Sequence, residues 1–122
     1  MITIKNMLWV MAGGSIGAAL RYGISMLWKT ESFPYSTLAI NIAGSFLIGI
    51  IFALSTRNVV PGHLQLFLAT GFCGGFTTFS AFSLENMQLL KSGNYSLALT
   101  YILLSVVICM LAVFAGFKLL NQ

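Results

Sequence analysis

The chain has 122 residues, of which 58% are apolar and 7% charged, with six Lys and Arg against two acidic residues and a net charge of +4. Average soluble domains carry about 25% charged residues. The composition therefore excludes a water-soluble catalytic domain, a nucleic-acid module and a sizeable extramembrane receptor, none of which could bury a core in what the apolar segments leave over. The basic excess reads as Lys and Arg holding helix ends at lipid headgroups, because a phosphate-binding surface needs basic residues clustered on one face.

A helix crossing about 30 Å of hydrocarbon needs about 20 apolar residues. The charges at Lys5, Arg21, Lys29, Glu31, Arg57, Glu85, Lys91 and Lys118 leave room for four such segments, at residues 7–28, 37–54, 64–90 and 96–120. The expectation is an all-α integral membrane protein: one domain, residues 1–122, with four transmembrane helices. Short connections carry turn formers, Pro34 in the first, Pro61 and Gly62 in the second, Gly93 and Asn94 in the third. The apolar pattern continues past Ala12, Gly13 and Gly14, so the first segment is expected to stay as a helix rather than be cleaved as a signal peptide. Lys5, Arg57 and Lys118 would lie on one side of the membrane and Lys29 and Lys91 on the other. So weak a bias permits insertion in both orientations and pairing of two copies as an antiparallel homodimer; one orientation set by the small excess is the alternative.

In the first segment Gly13, Gly17, Arg21 and Ser25 recur every fourth residue and so share a helix face. That face is expected to be covered by protein, since small residues let backbones approach and an arginine facing lipid costs about 2.5–3.5 kcal/mol at mid-membrane. Arg21 reads as a structural or vestibule arginine, or as a direct anion contact. Thr37, Asn41, Ser45 and Gly49 form a second such stripe. Ser45 and Gly49 suit contacts between helices, whereas Asn41, an amide with two N–H donors near mid-span, marks a pathway.

The third segment contains GFCGGFTTFSAFSLE, residues 71–85. Its glycines and adjacent threonines Thr77 and Thr78 predict a break between residues 74 and 78, with a continuous helix using glycines for packing as the alternative. Broken helices in transport proteins expose carbonyls that coordinate cations. Phe79 and Phe82 lie on similar sides of a helix, either as ordinary packing or with their positive ring edges turned toward an anion path. In the fourth segment Tyr101 and Ser105 share a face that Cys109 and Val113 continue apolarly.

Cys73 and Cys109 read as reduced, buried thiols. The single histidine, His63, falls in a connection, so no metal-catalytic cluster is expected. With Glu85 as the one carboxylate in the spans there is no acid/base pair and no base for a nucleophile, and the chain does not read as an enzyme. The donors Arg21, Asn41, Thr77, Thr78, Ser80, Ser83, Tyr101 and Ser105, with almost no carboxylate beside them, suit transport of a small anion. The rivals are a small multidrug/proton exchanger, which needs a first-helix carboxylate where this chain has Arg21, and an accessory membrane subunit without a pathway.

Three motifs in order, GGSIGAALRY (13–22), TLAINIAGSFLIG (37–49) and GFCGGFTTFSAFSLE (71–85), resemble the Fluc family of small fluoride channels, also called CrcB proteins, over nearly the whole chain. The resemblance implies a dual-topology antiparallel homodimer in the bacterial cytoplasmic (inner) membrane, with two pores that export toxic fluoride passively. It implies a central structural sodium ion (Na+), held by backbone carbonyls of Gly74 and Thr77 from both subunits, and no organic cofactor. It implies that Asn41, Ser80, Tyr101 and Ser105 line the fluoride pore with Phe79 and Phe82, whose ring edges come from the two subunits. Arg21 and Thr37 would stand in the vestibule and Glu85 near the pore end. Two departures stand out: Ala81 where the family commonly has a hydroxyl residue, and Cys109 and Val113 where its fourth-helix track can continue with Ser and Thr.

Overall fold

The computed structural model describes residues 1–121 and is helical throughout, with no strand among those residues. Helix α1 (Ile4–Leu27) starts at Thr3, whose hydroxyl accepts the Asn6 backbone N–H at 3.1 Å. Helix α2 (Tyr35–Thr56) follows Pro34. The third segment comprises α3 (Gly62–Gln65), a π-helical stretch (Leu66–Cys73), the short α4 (Gly74–Phe76) and, after two extended residues, α5 (Phe79–Lys91). Helix α6 (Tyr95–Leu120) completes the bundle. Between α5 and α6, Gly93 at φ +82° donates to the Leu90 carbonyl (3.1 Å) and Asn94 to the Leu89 carbonyl (2.8 Å), the paired bonds that close a helix on a left-handed residue.

The expected break is present, at Thr77 (φ −82°, ψ 153°) and Thr78 (φ −149°, ψ 118°), both extended. Its cause lies in the threonines, because Gly74 is helical at φ −63°, ψ −38°. Both the N–H and the hydroxyl of Thr77 donate to the Cys73 carbonyl, at 3.0 and 2.7 Å. The Thr78 hydroxyl then accepts the Ala81 N–H at 3.1 Å and caps the restarted helix.

Among the described residues three segments are long and apolar enough to cross a membrane: Tyr35–Thr56, Gly62–Lys91 and Tyr95–Leu120, with mean hydropathy of 2.2, 1.3 and 2.7. Helix α1 has the length, 24 residues, but carries Lys5, Asn6 and Arg21 and falls short in apolarity. The glycines explain how it packs. A Cβ on Gly13 would strike the Phe67 carbonyl and the Phe72 nitrogen, and one on Gly17 the Phe72 carbonyl and the Phe76 nitrogen. Phe67 and Phe72 are five apart yet meet the same point of α1, as the wider π turn allows. Helices α2 and α6 make a second seam of this kind, Gly49 against Val113 and Gly116 against Phe46. A side-chain core of Phe33, Phe82, Leu89, Ala98 and Tyr101 lies beside α5. Leu103, Val107, Leu111 and Phe114 on α6 point outward, as expected of a helix whose surroundings are apolar.

Candidate ion pathway at the helix break

Two extended residues deprive the preceding turn of its helical donors, so each backbone group there must find another partner. Asn41 on α2 supplies two: its Oδ1 accepts the Thr78 N–H at 2.9 Å and its Nδ2 donates to the Thr78 carbonyl at 3.2 Å. Arg21 on α1 supplies a third, its Nε donating to the Gly75 carbonyl at 3.1 Å. Among the described residues no hydrogen bond reaches the carbonyls of Gly74, Phe76 or Thr77. Gly74 itself is exposed.

A cavity of about 570 Å³ opens at the break, lined by Asn41, Ser45, Gly74, Thr77, Thr78, Phe79, Phe82, Ser105 and Cys109 among others. Ser105, which borders this cavity, is 8% exposed, and its buried hydroxyl has no partner, which leaves its proton uncommitted. One of the two Asn41 amide protons is likewise uncommitted, the other being bonded to Thr78. Phe82 is buried at 9% exposure, whereas Phe79 is 79% exposed, and their centroids lie 5.3 Å apart. Ser80 stands outside the cavity, exposed, with its hydroxyl 3.2 Å from that of Thr78.

A second cavity, of about 700 Å³, lies at the α1–α2 end and is bordered by Lys29, Glu31, Thr37, Glu85 and Gln88 among others. Glu85 receives two short hydrogen bonds, from Thr37 Oγ1 to Oε1 and from Tyr101 OH to Oε2, both 2.6 Å. Each hydroxyl has one proton, so both protons are committed to the carboxylate. Tyr101 is 0% exposed and packs edge-on against Phe82 at 5.0 Å, linking the two cavities through one ring. Arg21 lines neither cavity.

The structure thus brings together Asn41, Gly74, Thr77, Phe79, Phe82 and Ser105 at one cavity and Thr37 and Glu85 at the other, with Tyr101 between. Cys109 extends the first cavity, while the Val113 carbonyl closes over Gly49, so the hydroxyl track of α6 ends at Ser105. Sequence reasoning missed the pairing of Asn41 with Thr78, the bond from Arg21 to Gly75, and the bridging of Thr37 and Tyr101 by Glu85. The one signal for the first was an amide on the helix facing a pair of threonines.

Apolar helices packed around an interrupted one, with amide and hydroxyl donors gathered at the interruption, define a helical membrane protein with a polar cavity at membrane depth. The family described as "CrcB-like protein, Camphor Resistance (CrcB)" matches residues 8–117, and the chain belongs to it. It is 46% identical over 112 residues to a Magnetococcus marinus protein described as "Fluoride-specific ion channel FluC", covering 88% of this chain and 91% of that one. Relatives with the same description include one from Flavobacterium psychrophilum, 44% identical over 117 residues (93% of this chain, 94% of the relative). Another, from Rhizobium meliloti, is 45% identical over 123 residues (97% and 98%).

Proposed function

We propose that the protein is a fluoride channel, a multi-pass protein of the bacterial cytoplasmic membrane that lets fluoride leave the cell down its electrochemical gradient. The observation that carries this reading is the cavity at the break, which offers uncommitted donors from Ser105 and Asn41 beside two phenylalanines and has no carboxylate among the described residues of its wall. A small anion that sheds water needs donors in its place, and positive ring edges add a weaker attraction. Toward the second cavity an anion meets Thr37 and Tyr101, whose protons it can use only in competition with Glu85. The two hydroxyl donors are thereby shared between an internal carboxylate and the passing ion. The family relationship and the relatives' descriptions support the same assignment.

The working unit in this reading is an antiparallel homodimer with two pores. Its support is the state of the break: carbonyls without donors at membrane depth cost several kcal/mol each unless protein, water or an ion covers them. A second copy lying against exposed Gly74 and Phe79 would cover them and bring Phe79 of one subunit toward Phe82 of the other. The donor set at Gly74 and Thr77 consists of neutral oxygens without protein donors, which fits a sodium ion. Sodium would neutralise the facing carbonyl dipoles and join the subunits.

The test is passive efflux from liposomes holding purified protein, with fluoride compared against chloride and no proton gradient. Rapid fluoride efflux with little chloride movement is expected. No fluoride movement, together with proton-coupled movement of cationic drugs, would replace the channel with an exchanger.

A further inference from the structure

We propose that Arg21 is a positioning residue of the helix break, one that holds the Gly75 carbonyl through Nε–H and so sets the direction of the neighbouring bare carbonyls. The proposal deepens the reading above and rests on it for what those carbonyls receive. In an unbroken helix the Gly75 carbonyl would accept the Phe79 N–H; here a side chain 54 positions earlier in the chain takes that place at 3.1 Å. The peptide planes carrying the Gly74 and Gly75 carbonyls meet at the Gly75 Cα, and the helical φ and ψ of the α4 turn relate one plane to the other. Gly75 is also pinned from the same side, because a Cβ there would strike the Gly14 carbonyl of α1. Across the break Asn41 Oδ1 holds the Thr78 N–H, and in a trans peptide this turns the Thr77 carbonyl away from α2. Of the three carbonyls left without donors, those of Gly74 and Thr77 are therefore aimed by residues on α1 and α2.

The geometry separates this role from that of a vestibule charge. Arg21 lines neither cavity, and the atom it uses is Nε rather than the end of the guanidinium. Glutamine carries its amide nitrogen the same number of bonds from Cα as Arg Nε, without charge, whereas lysine keeps the charge but places its only nitrogen one bond further out. The two substitutions thus separate position from charge.

Arg21→Gln, Arg21→Lys and Arg21→Ala would be reconstituted beside the unsubstituted protein, with two readouts. One is fluoride efflux; the other is the sodium concentration that half-saturates thermal stabilisation of the purified protein, with N-methylglucamine as the control cation. Arg21→Ala is expected to lower efflux and raise the sodium requirement, each about tenfold for a lost charge-assisted bond. Arg21→Gln is expected to restore most of both and Arg21→Lys less. Lysine performing like arginine while glutamine performs like alanine would overturn the proposal in favour of a charge role, and an alanine variant equal to the parent would overturn it outright. Should the alanine variant fail to fold, the order of glutamine and lysine still decides. If the parent protein ignores sodium in both assays, the cation reading falls by itself, and the efflux order of glutamine over lysine still tests Arg21.

Discussion

Upstream of Thr77 the third segment lies backbone against backbone on α1, with Gly71 over Val10 and Gly75 over Gly14. Downstream, α5 meets its neighbours through side chains, Phe82 on the Tyr101 ring and Glu85 on the Thr37 and Tyr101 hydroxyls. The first kind of contact leaves no room for a side chain to adapt, so it fixes where the break stands. The second kind leaves groups that can exchange partners, and Thr37 and Glu85 among them border the second cavity. The contrast is between a rigid mount and a chemically active arm, joined by two extended threonines.

The comparison predicts a graded set of outcomes. The largest belongs to the mount: Gly17→Val places branched carbon against the Phe72 carbonyl and the Phe76 nitrogen, and a loss of about 3 kcal/mol is expected. Size-exclusion and thermal melting in detergent would show it as aggregation or a much lower Tm. A well-folded valine variant would show that the mount yields, and the contrast would break.

In the arm, Phe82→Ile is expected to leave the fold intact and slow fluoride efflux about tenfold, the change that about 1.4 kcal/mol makes in a rate. Efflux at the parent rate would remove Phe82 from the path. Tyr101→Phe takes away one of the two donors to Glu85 and costs about 1–3 kcal/mol for the carboxylate oxygen it strands. Thermal melting reads the stability, and efflux measured alongside should change as well, since the competition between carboxylate and anion is altered. The smallest effect is at the far end of α5, where Gly93→Ala forces a side chain into positive φ at a cost of about 1 kcal/mol. Tm should fall by a few degrees with fluoride efflux unchanged; a changed efflux would mean that the end of α5 communicates with the break.

Much of the design was legible in the residues. Four helical segments followed from charge spacing, three of them apolar enough to cross a membrane, the small-residue stripe of α1 marked its protein-covered face, and the break was expected within residues 74–78. The donor excess pointed to an anion. Less legible was the reason for the break: the glycines looked like its weak point, yet Gly74 stays helical and Thr77 turns the chain by doubling its donors on Cys73. Glycine has two uses in a membrane helix, flexibility and close approach, and the pattern of residues cannot choose between them without the neighbouring backbone.

Local patterns therefore determined that this chain forms apolar helices, where they start and stop, and which faces carry polar groups, because burial in lipid leaves few other ways to satisfy a backbone. Tertiary structure decided the partners. Only the packing of α1 and α2 against the break assigns Arg21 to the Gly75 carbonyl, Asn41 to Thr78, and Glu85 to both Thr37 and Tyr101. Those assignments join residues far apart in the chain, and which donors they leave free depends on distances that no single helix contains.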